Sequence, residues 1–524
     1  MFNNLRTTQM EISKSIIKIK LKKEKNLEKK INIFALYIDA SLVKENIEVI
    51  DYLIDEIYKF REKNKAKLSS EQRSILAYFT ANLWMNGNNL LKALTEVNEI
   101  ILHRLKLDAR SYNKEKALFS LREAHNEFGF HKLPIIRKCQ ILTNTGNILS
   151  EMGRVIEAIE YWETALTYNP NFTMAQGNKT YALYKYSQLI YDNCHKNTFL
   201  FNIKKQFENL NRDETIHDDN WNIFVKIKNY VSQLTVGSAE HINWDDFDLG
   251  SKKESEYRNW ALNNKLFLNP LNDLKIKSYS ARDTLVLPTI VTNIDTGNIY
   301  HGFFNQIKQE FVSTRYILFS GIKSDDTHFS DRDVILYNTL DYASLSLNIE
   351  KVKLAYRSCY SIIDKIALFL ASYYKLDFGK KDINISMVVK AINSKTYPRT
   401  NVALKAIEWL EKDINEDRYQ KYLDPDTKLL RMIRNKLEHG YIKITDMGDF
   451  EGVIKEKNGI NDNLAYHISR DKFNDKSVKL IKIVRSLILY LLFTINIEEK
   501  LDEPSKKKIT IPMYIDTIDD DWKI

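Results

Sequence analysis

Apolar residues recur at helical spacing through most of this chain, and no other feature narrows its possible folds as much. From about Ile31 to Asp192, and again from His301 to Glu499, they return every three or four positions in consecutive helix-length segments. The 524 residues include only 15 Gly and 8 Pro, which disfavours a loop-rich β fold. We therefore predict an all-α protein whose length allows about two to four domains.

The sharpest local pattern is the segment from Cys139 to Pro170, which reads CQILTNTGNILSEMGRVIEAIEYWETALTYNP. Small and bulky residues occupy fixed positions of two packed helices, with Gly153 at the turn between them. Small residues let helices approach closely, bulky ones fill the remaining space, and proline ends the second helix. The residues concerned are Leu142, Gly146, Leu149, Ala158, Trp162, Ala165 and Pro170.

This segment resembles a tetratricopeptide repeat, and looser candidates for neighbouring units lie at Asn82 to Leu105 and Phe172 to Tyr191. One repeat cannot bury its own apolar face, so the resemblance implies a stacked array. Arrays of this kind bind a peptide or a partner protein in a groove. A generic helical hairpin is the alternative interpretation of the same residues.

Changes in the pattern divide the chain into four predicted parts. Residues 1–198 form the tetratricopeptide-like array, and residues 199–295 form a connector in which the periodicity weakens. Residues 296–500 form an up-and-down helical bundle, and residues 501–524 form a tail.

Local signals add finer predictions. We expect a joint between helices at residues 86–88 (Asn-Gly-Asn) and a lid-like insertion near residues 376–400. Short strands are indicated by LVLPTIV at residues 285–291 and by ITIPMYI at residues 509–515.

Charge and cysteine content limit the possible partners and compartment. The net charge of +9 favours a polyanionic partner only weakly. Cys139, Cys194 and Cys359 lie far apart, so the chain has neither a disulfide framework nor a Cys-x-x-Cys zinc site. We expect a cytoplasmic protein.

Other common classes of site are not indicated by the sequence. The apolar run from Ser486 to Ile497 is too short to cross a bilayer and predicts a buried helix, so we expect no membrane partner. The N-terminus does not read as a signal peptide. Gly379-Lys380-Lys381 lacks the glycine loop of an ATPase, and the acidic cluster around Asp245 predicts a loop. We expect no metal and no cofactor.

The stretch DPDTKLLRMIRNKLEHG, from Asp424 to Gly440, predicts a helix with one unusually polar face. Asp424 before Pro425 is typical of a helix start, and Gly440 predicts a left-handed helix end. The apolar face comprises Leu429, Leu430, Ile433 and Leu437. The polar face comprises Arg431, Arg434, Asn435, Glu438 and His439. An ordinary surface pair between Arg434 and Glu438 is the alternative interpretation of this polar face.

Three stretches resemble the HEPN (higher eukaryotes and prokaryotes nucleotide-binding) superfamily. They are NKLFLNPLNDL (Asn264 to Leu274), FFNQIKQEFVSTRYILFSG (Phe303 to Gly321) and RNKLEH (Arg434 to His439). The last is similar to the Arg-x4–6-His motif of HEPN nucleases, with Asn435 as the polar residue after the arginine. Arg212 and His217 have the same spacing but lie outside the predicted bundle.

The resemblance implies a metal-independent endoribonuclease, with catalytic Arg434, His439 and Asn435 and without a cofactor. Arg431, Lys436 and Glu438 are implied substrate-binding residues. RNA, such as tRNA or mRNA, is the implied partner. Each chain carries one histidine in the motif, so the hypothesis includes a homodimer joined through the bundle.

Further predictions concern supporting residues, regulation and alternative functions. Glu310, Arg315, Tyr360 and Asp364 are candidate supporting residues in the bundle. The resemblance also implies that the repeat array gates the nuclease, as in phage-defence or toxin-type systems. A non-catalytic module that binds RNA or a nucleotide, and a protein-interaction scaffold, are the alternative functions.

Overall fold

The structure is a computed structural model of the whole chain. It describes residues 12–43, 46–95, 100–213, 216, 218–234, 248–276, 278–293, 297–324, 326–339, 342–379, 383–395, 401–414, 426–446, 451–457, 460–502 and 513–523.

The described residues form an all-α protein with one small sheet, which confirms the predicted fold class. The N-terminal helices are α1 (Lys14–Lys23), α2 (Leu27–Val43), α3 (Ile47–Lys63), α4 (Ser70–Thr95), α5 (Ile100–Asn126), α6 (Ile135–Glu151), α7 (Val155–Tyr168), α8 (Thr173–Leu189) and α9 (Asn193–Glu208). The remaining helices are α10 (Asp218–Gln233), α11 (Lys252–Asn263), α12 (Ile299–Lys323), α13 (Leu347–Tyr373), α14 (Ile385–Lys395), α15 (Val402–Glu411), α16 (Thr427–His439) and α17 (Arg470–Asp502).

Helices α6 and α7 pair as the small-and-bulky pattern predicts. An ideal Cβ on Gly146 would lie 2.6 Å from the indole nitrogen of Trp162, so only glycine leaves room for this ring. The indole N–H donates to the carbonyl of Thr143 at 3.2 Å. Gly153 has a φ of +84° at the turn, a conformation that favours glycine. These helices are consistent with repeat-like stacking, and the tetratricopeptide assignment itself stays a prediction.

Helix α17 is the core of the C-terminal bundle. Its residues from Leu487 to Phe493 are completely buried, because α12, α13 and α15 pack around it. By length and composition Arg470–Leu501 could cross a membrane, yet 89% of its most apolar window is buried inside the protein. A helix that is apolar on all sides is expected at such a central position.

A three-stranded sheet, which we did not predict, follows α16. It contains β1 (Tyr441–Thr445), β2 (Glu451–Lys457) and β3 (Ile460–Ser469) in the order β1-β3-β2. β1 is parallel to β3, and β2 is antiparallel to β3. The sheet takes the chain from the end of α16 to the start of α17.

Three finer predictions are wrong. Residues 86–88 lie inside α4, where Asn86 and Asn88 are buried, so no joint separates helices there. Residues 285–291 have no regular secondary structure and pair with no strand among the described residues, and Pro288 could not donate to a ladder. The segment near 376–400 contains α14, whose Val388 is fully buried, so it is part of the core rather than a lid. Of the predicted tail strand, residues 509–512 lie outside the described residues, and residues 513–515 form no strand.

A buried ionic cluster joins the N-terminal helices to the bundle. Asp413, just after α15, accepts two hydrogen bonds from Arg122 on α5 at 2.7 and 2.8 Å. Arg154, at the start of α7, lies 2.7 Å from the same carboxylate. All three side chains are buried, with the Arg154 residue only 1% exposed. Burial lowers the pKa of Arg154, but the carboxylates of Asp413 and Glu157 together outweigh this effect, so the pKa is raised overall.

Two further contacts along α17 extend this interface. The Tyr490 hydroxyl donates to Glu157 of α7 at 2.8 Å. Arg485 donates to Asp273 at 2.9 Å, and Asp273 also accepts from the Tyr186 hydroxyl of α8 at 2.8 Å. The N-terminal helices and the bundle therefore share buried polar contacts as well as an apolar core.

We predict that Asp413→Ala lowers the free energy of unfolding by about 3–5 kcal/mol, because Arg122 and Arg154 lose their buried carboxylate. Denaturant unfolding of the full chain measures this change. Glu350→Ala is the control: it removes an exposed partner of Lys353 and should cost less than about 1 kcal/mol. Equal effects of the two substitutions would contradict the importance of the cluster.

Two glycine substitutions should have opposite effects on stability. Gly146→Ala forces a methyl group against Trp162 and should destabilise the protein by about 1–3 kcal/mol. Gly302→Ala, in α12, meets no atom within 4 Å and should stabilise the protein by about 0.5–1 kcal/mol through helix propensity. Thermal unfolding of both variants tests the prediction, and a stable Gly146→Ala protein would refute the close packing of α6 against α7.

Candidate active site

Helix α16 buries its apolar face as the sequence predicts. Leu429, Leu430, Ile433 and Leu437 are all buried. The helix begins at Thr427, and the predicted cap at Asp424 and Pro425 lies outside the described residues.

The predicted left-handed end of α16 is wrong. Gly440 is extended, with a φ of −144°, because the chain continues directly into β1. The direction of the chain after His439 is therefore set by the pairing of β1 with β3 rather than by a glycine turn.

An open cleft of about 540 Å³ lies between α13 and α16, and we call it the α13–α16 cleft. Tyr356 of α13 fixes the two helices together, because its buried hydroxyl donates to the carbonyl of Leu430 at 2.7 Å. The cleft is lined by Arg357, Tyr360, Ser361, Asp364, Lys365, Leu368, Ile383, Arg434 and Glu438.

Arg434 enters the cleft over an aromatic ring. Its guanidinium carbon lies 5.3 Å from the centre of the Tyr360 ring, within the range of a cation–π contact. Burial raises the pKa of Tyr360, and the positive charge of Arg434 opposes this shift. Burial likewise raises the pKa of Asp364, and Arg434 again acts in the opposite direction. Arg434 is thus held by a ring and attracted by a carboxylate.

Arg357 holds the last turn of α16. Its Nη2 donates to the carbonyl of Leu437, one of the last four carbonyls of the helix, which have no partner within it. Its Nε lies 3.6 Å from Oε1 of Glu438. Among the described ion pairs, Glu438 therefore pairs with Arg357 rather than with Arg434 one turn away.

A second ion pair closes the other side of the cleft. Lys365 donates to both carboxylate oxygens of Glu310 on α12 at 2.6 Å, and to the hydroxyl of Ser361 at 3.2 Å. The predicted supporting residue Glu310 is therefore engaged with a cleft residue. Arg315, another predicted supporting residue, is buried elsewhere, where it donates to Asp283 at 2.7 Å and to the hydroxyl of Tyr257 at 2.7 Å.

The structure brings together only some of the predicted site residues. Arg434 and Glu438 line the cleft, together with Tyr360 and Asp364. His439 lies five residues after Arg434, which is a rotation of about 140° around a helix. It is exposed at the end of α16 and does not line the cleft.

The other predicted residues also lie outside the cleft lining. Asn435 and Arg431 are exposed, and Lys436 is half-buried. Their predicted roles, like those of Arg434 and His439, stay predictions. Of the pair with the same spacing, His217 lies outside the described residues, while Arg212 forms an exposed ion pair with Asp218.

Sequence reasoning missed Arg357, Ser361 and Lys365. A signal was available, because these polar residues and Asp364 recur every three or four positions in an otherwise apolar helix. Such a stripe predicts one polar face of α13, but it does not identify the helix that this face meets.

Residues 291–498 match the family model described as LA2681-like HEPN. The matched segment includes α12 to α16, the sheet and nearly all of α17, and so contains the whole cleft. It contains the stretches Phe303–Gly321 and Arg434–His439 that carried the resemblance, whereas Asn264–Leu274 lies before it. No curated protein and no solved structure matches the chain.

We predict that Arg357→Ala loosens the last turn of α16, because the Leu437 carbonyl and Glu438 both lose their cation. Hydrogen–deuterium exchange should become faster in the peptide that contains residues 434–440. Lys353→Ala, one turn earlier on α13, removes an ion pair with the exposed Glu350 that does not involve α16, and it should leave that peptide unchanged. Unchanged exchange in Arg357→Ala would show that the sheet alone holds the end of α16.

Proposed function

Since residues 291–498 form a HEPN domain of the LA2681-like kind, we propose that the chain is a metal-independent endoribonuclease whose site lies on α16. HEPN domains commonly serve as ribonucleases or nucleotide-binding domains in defence and toxin systems. The observation that carries the proposal is the position of Arg434, which is held over Tyr360 in an open, polar cleft of the HEPN domain.

Cleavage of RNA without a metal uses the 2′-hydroxyl as the nucleophile. A base removes its proton, an acid protonates the leaving 5′-oxygen, and a cation stabilises the charge on the phosphorane. Arg434 offers a fork of donors to the phosphate. His439 acts as the base or the acid, and Asn435 orients the reacting groups. Arg431 and Lys436 bind neighbouring phosphates, while Glu438 acts through its pair with Arg357.

The active form in this proposal is a homodimer joined through the HEPN domain. Two proton transfers need two groups, and each chain offers one histidine in the motif. The exposed position of His439, outside the cleft that Arg434 enters, supports a site completed by a second copy. In that arrangement His439 of the partner subunit and Arg434 act on the same phosphate.

The repeat-like helices act as the gate in this proposal. Asp413 supports this role because it links both parts of the chain to α16. Its carboxylate binds Arg122 and Arg154, and its carbonyl accepts from the hydroxyl of Thr427 at 2.8 Å, at the first residue of α16. A protein or peptide bound to the repeat groove would thereby alter the start of the site helix. The proposed setting is the cytoplasm, in a phage-defence or toxin-type system.

We predict that the purified chain cleaves total RNA or tRNA in EDTA and leaves 2′,3′-cyclic phosphate ends. Arg434→Ala and His439→Ala should each reduce the rate by about 10²–10⁴, because each removes a group that acts in the transition state. Arg212→Ala and His217→Ala are matched controls with the same sequence spacing, and both should keep the wild-type rate. Circular dichroism and size-exclusion chromatography establish that each variant folds and keeps its oligomeric state.

The same experiment separates the alternatives. Cleavage that persists in both site variants would overturn the assignment to Arg434 and His439. Binding of RNA without cleavage would favour a non-catalytic RNA- or nucleotide-binding module. Absence of both would favour a protein-interaction scaffold, with the polar face of α16 as an ordinary solvated surface.

A further inference from the structure

Some charged side chains of the α13–α16 cleft already have an ion-pair partner among the described residues, and others do not. Arg357 pairs with Glu438, and Lys365 pairs with Glu310. Two charged groups remain, which are the guanidinium of Arg434 and the carboxylate of Asp364. In the described part of the chain, neither of them has a hydrogen-bond or ion-pair partner in contact.

Arg434 and Asp364 attract one another across the cleft without touching. Arg434 lowers the pKa of Asp364, while partial burial raises it. A ligand that lies between them must accept hydrogen bonds from the guanidinium and donate one to the carboxylate. The phosphodiester group of a nucleic-acid backbone only accepts hydrogen bonds, whereas a ribonucleotide in such a chain also donates one through its 2′-hydroxyl and so satisfies both requirements.

The order of groups along α13 gives such a ligand a direction. Tyr360, Asp364 and Leu368 follow one another at intervals of four residues, or about 6 Å of helix rise each. Tyr360 carries the guanidinium of Arg434 on its ring, and Asp364 supplies a carboxylate. Leu368 supplies an apolar side chain that lines the cleft together with Ile383. A cation, a hydrogen-bond acceptor and an apolar wall match the phosphate, the sugar and the base of one nucleotide in that order.

We propose that the α13–α16 cleft binds one ribonucleotide of an RNA chain, with Asp364 accepting a hydrogen bond from its 2′-hydroxyl and so selecting ribose over deoxyribose. The identity of the ligand as RNA rests on the proposed function. The carboxylate of Asp364 favours RNA over ligands without a 2′-hydroxyl in two ways. It accepts a hydrogen bond from a sugar that has a 2′-hydroxyl donor. It repels the polyanionic backbone of a ligand that has no such donor.

The test is equilibrium binding by the full-length His439→Ala protein in EDTA, measured by fluorescence anisotropy. The probes are a short labelled RNA, its 2′-O-methyl analogue and its DNA counterpart, because the last two lack the 2′-hydroxyl donor. The expected preference for RNA over both analogues is roughly tenfold or more, as for one hydrogen bond to a charged group. Asp364→Asn in the same background should reduce this preference to near unity.

The direction of the individual changes distinguishes recognition from a structural role. Asp364→Asn removes a negative charge, so the two analogues should bind more tightly while RNA binds more weakly. A structural defect would instead weaken all three probes together, and that result would overturn the proposal. Glu350→Gln is the matched control, because it makes the same change about 21 Å earlier on α13, outside the cleft. It should leave the preference unaltered.

Two further outcomes are informative. If Asp364→Asn changes the preference among oligo(A), oligo(C) and oligo(U) but not between RNA and its analogues, the carboxylate reads the base, and the sugar proposal is overturned. Because binding is measured with a variant that is not expected to cleave, the result does not depend on nuclease activity. An inactive wild-type protein would refute the proposed function and leave the ribose preference as a separate result.

Discussion

The carboxylate of Asp413, buried between two guanidinium groups, is the interaction on which the arrangement of the molecule depends. Arg122 comes from α5, Arg154 from the start of α7, and Asp413 from just after α15. Three distant parts of the chain therefore have to meet before both guanidinium groups have their carboxylate partner. Apolar packing alone would tolerate small shifts between the helices, whereas buried charges fix the arrangement because a misplaced partner leaves a charge uncompensated.

The same residue connects this cluster with the α13–α16 cleft. Thr427 donates to the Asp413 carbonyl at the first turn of α16, and Arg357 binds the Leu437 carbonyl at its last turn. Both ends of α16 are thus held by polar contacts from outside the helix. Since the middle of the helix is fixed by its buried apolar face, a change in either end contact would alter the direction of Arg434 and His439 more readily than it would displace the helix.

Much of the fold could be predicted because the helical spacing is strong. The apolar faces of α16 and α17, and the packing of Trp162 on Gly146, follow directly from residue size and period. The sheet was missed because β1 has only five residues and follows a strong helix without a separating turn. Conversely, Asn86-Gly87-Asn88 indicated a break, but buried apolar residues of the same helix, such as Leu76, Phe79 and Leu83, hold α4 in the core and outweigh the low helix propensity of this tripeptide.

The candidate site was only partly predictable, for a geometric reason. The motif spacing identified Arg434, and Tyr360 and Asp364 were only candidate supporting residues. The sequence could not show that Glu438 pairs with Arg357 or that Asp364 faces Arg434 across an open cleft. Such contacts depend on how α13 crosses α16, which is set by the buried hydroxyl of Tyr356 and the core beneath it. The spacing placed Arg434 and His439 on one polar face of the helix, and the predicted homodimer followed from the single histidine of the motif. The rotation between them directs the two side chains to different surfaces, so their cooperation in the proposed reaction requires a second copy of the helix.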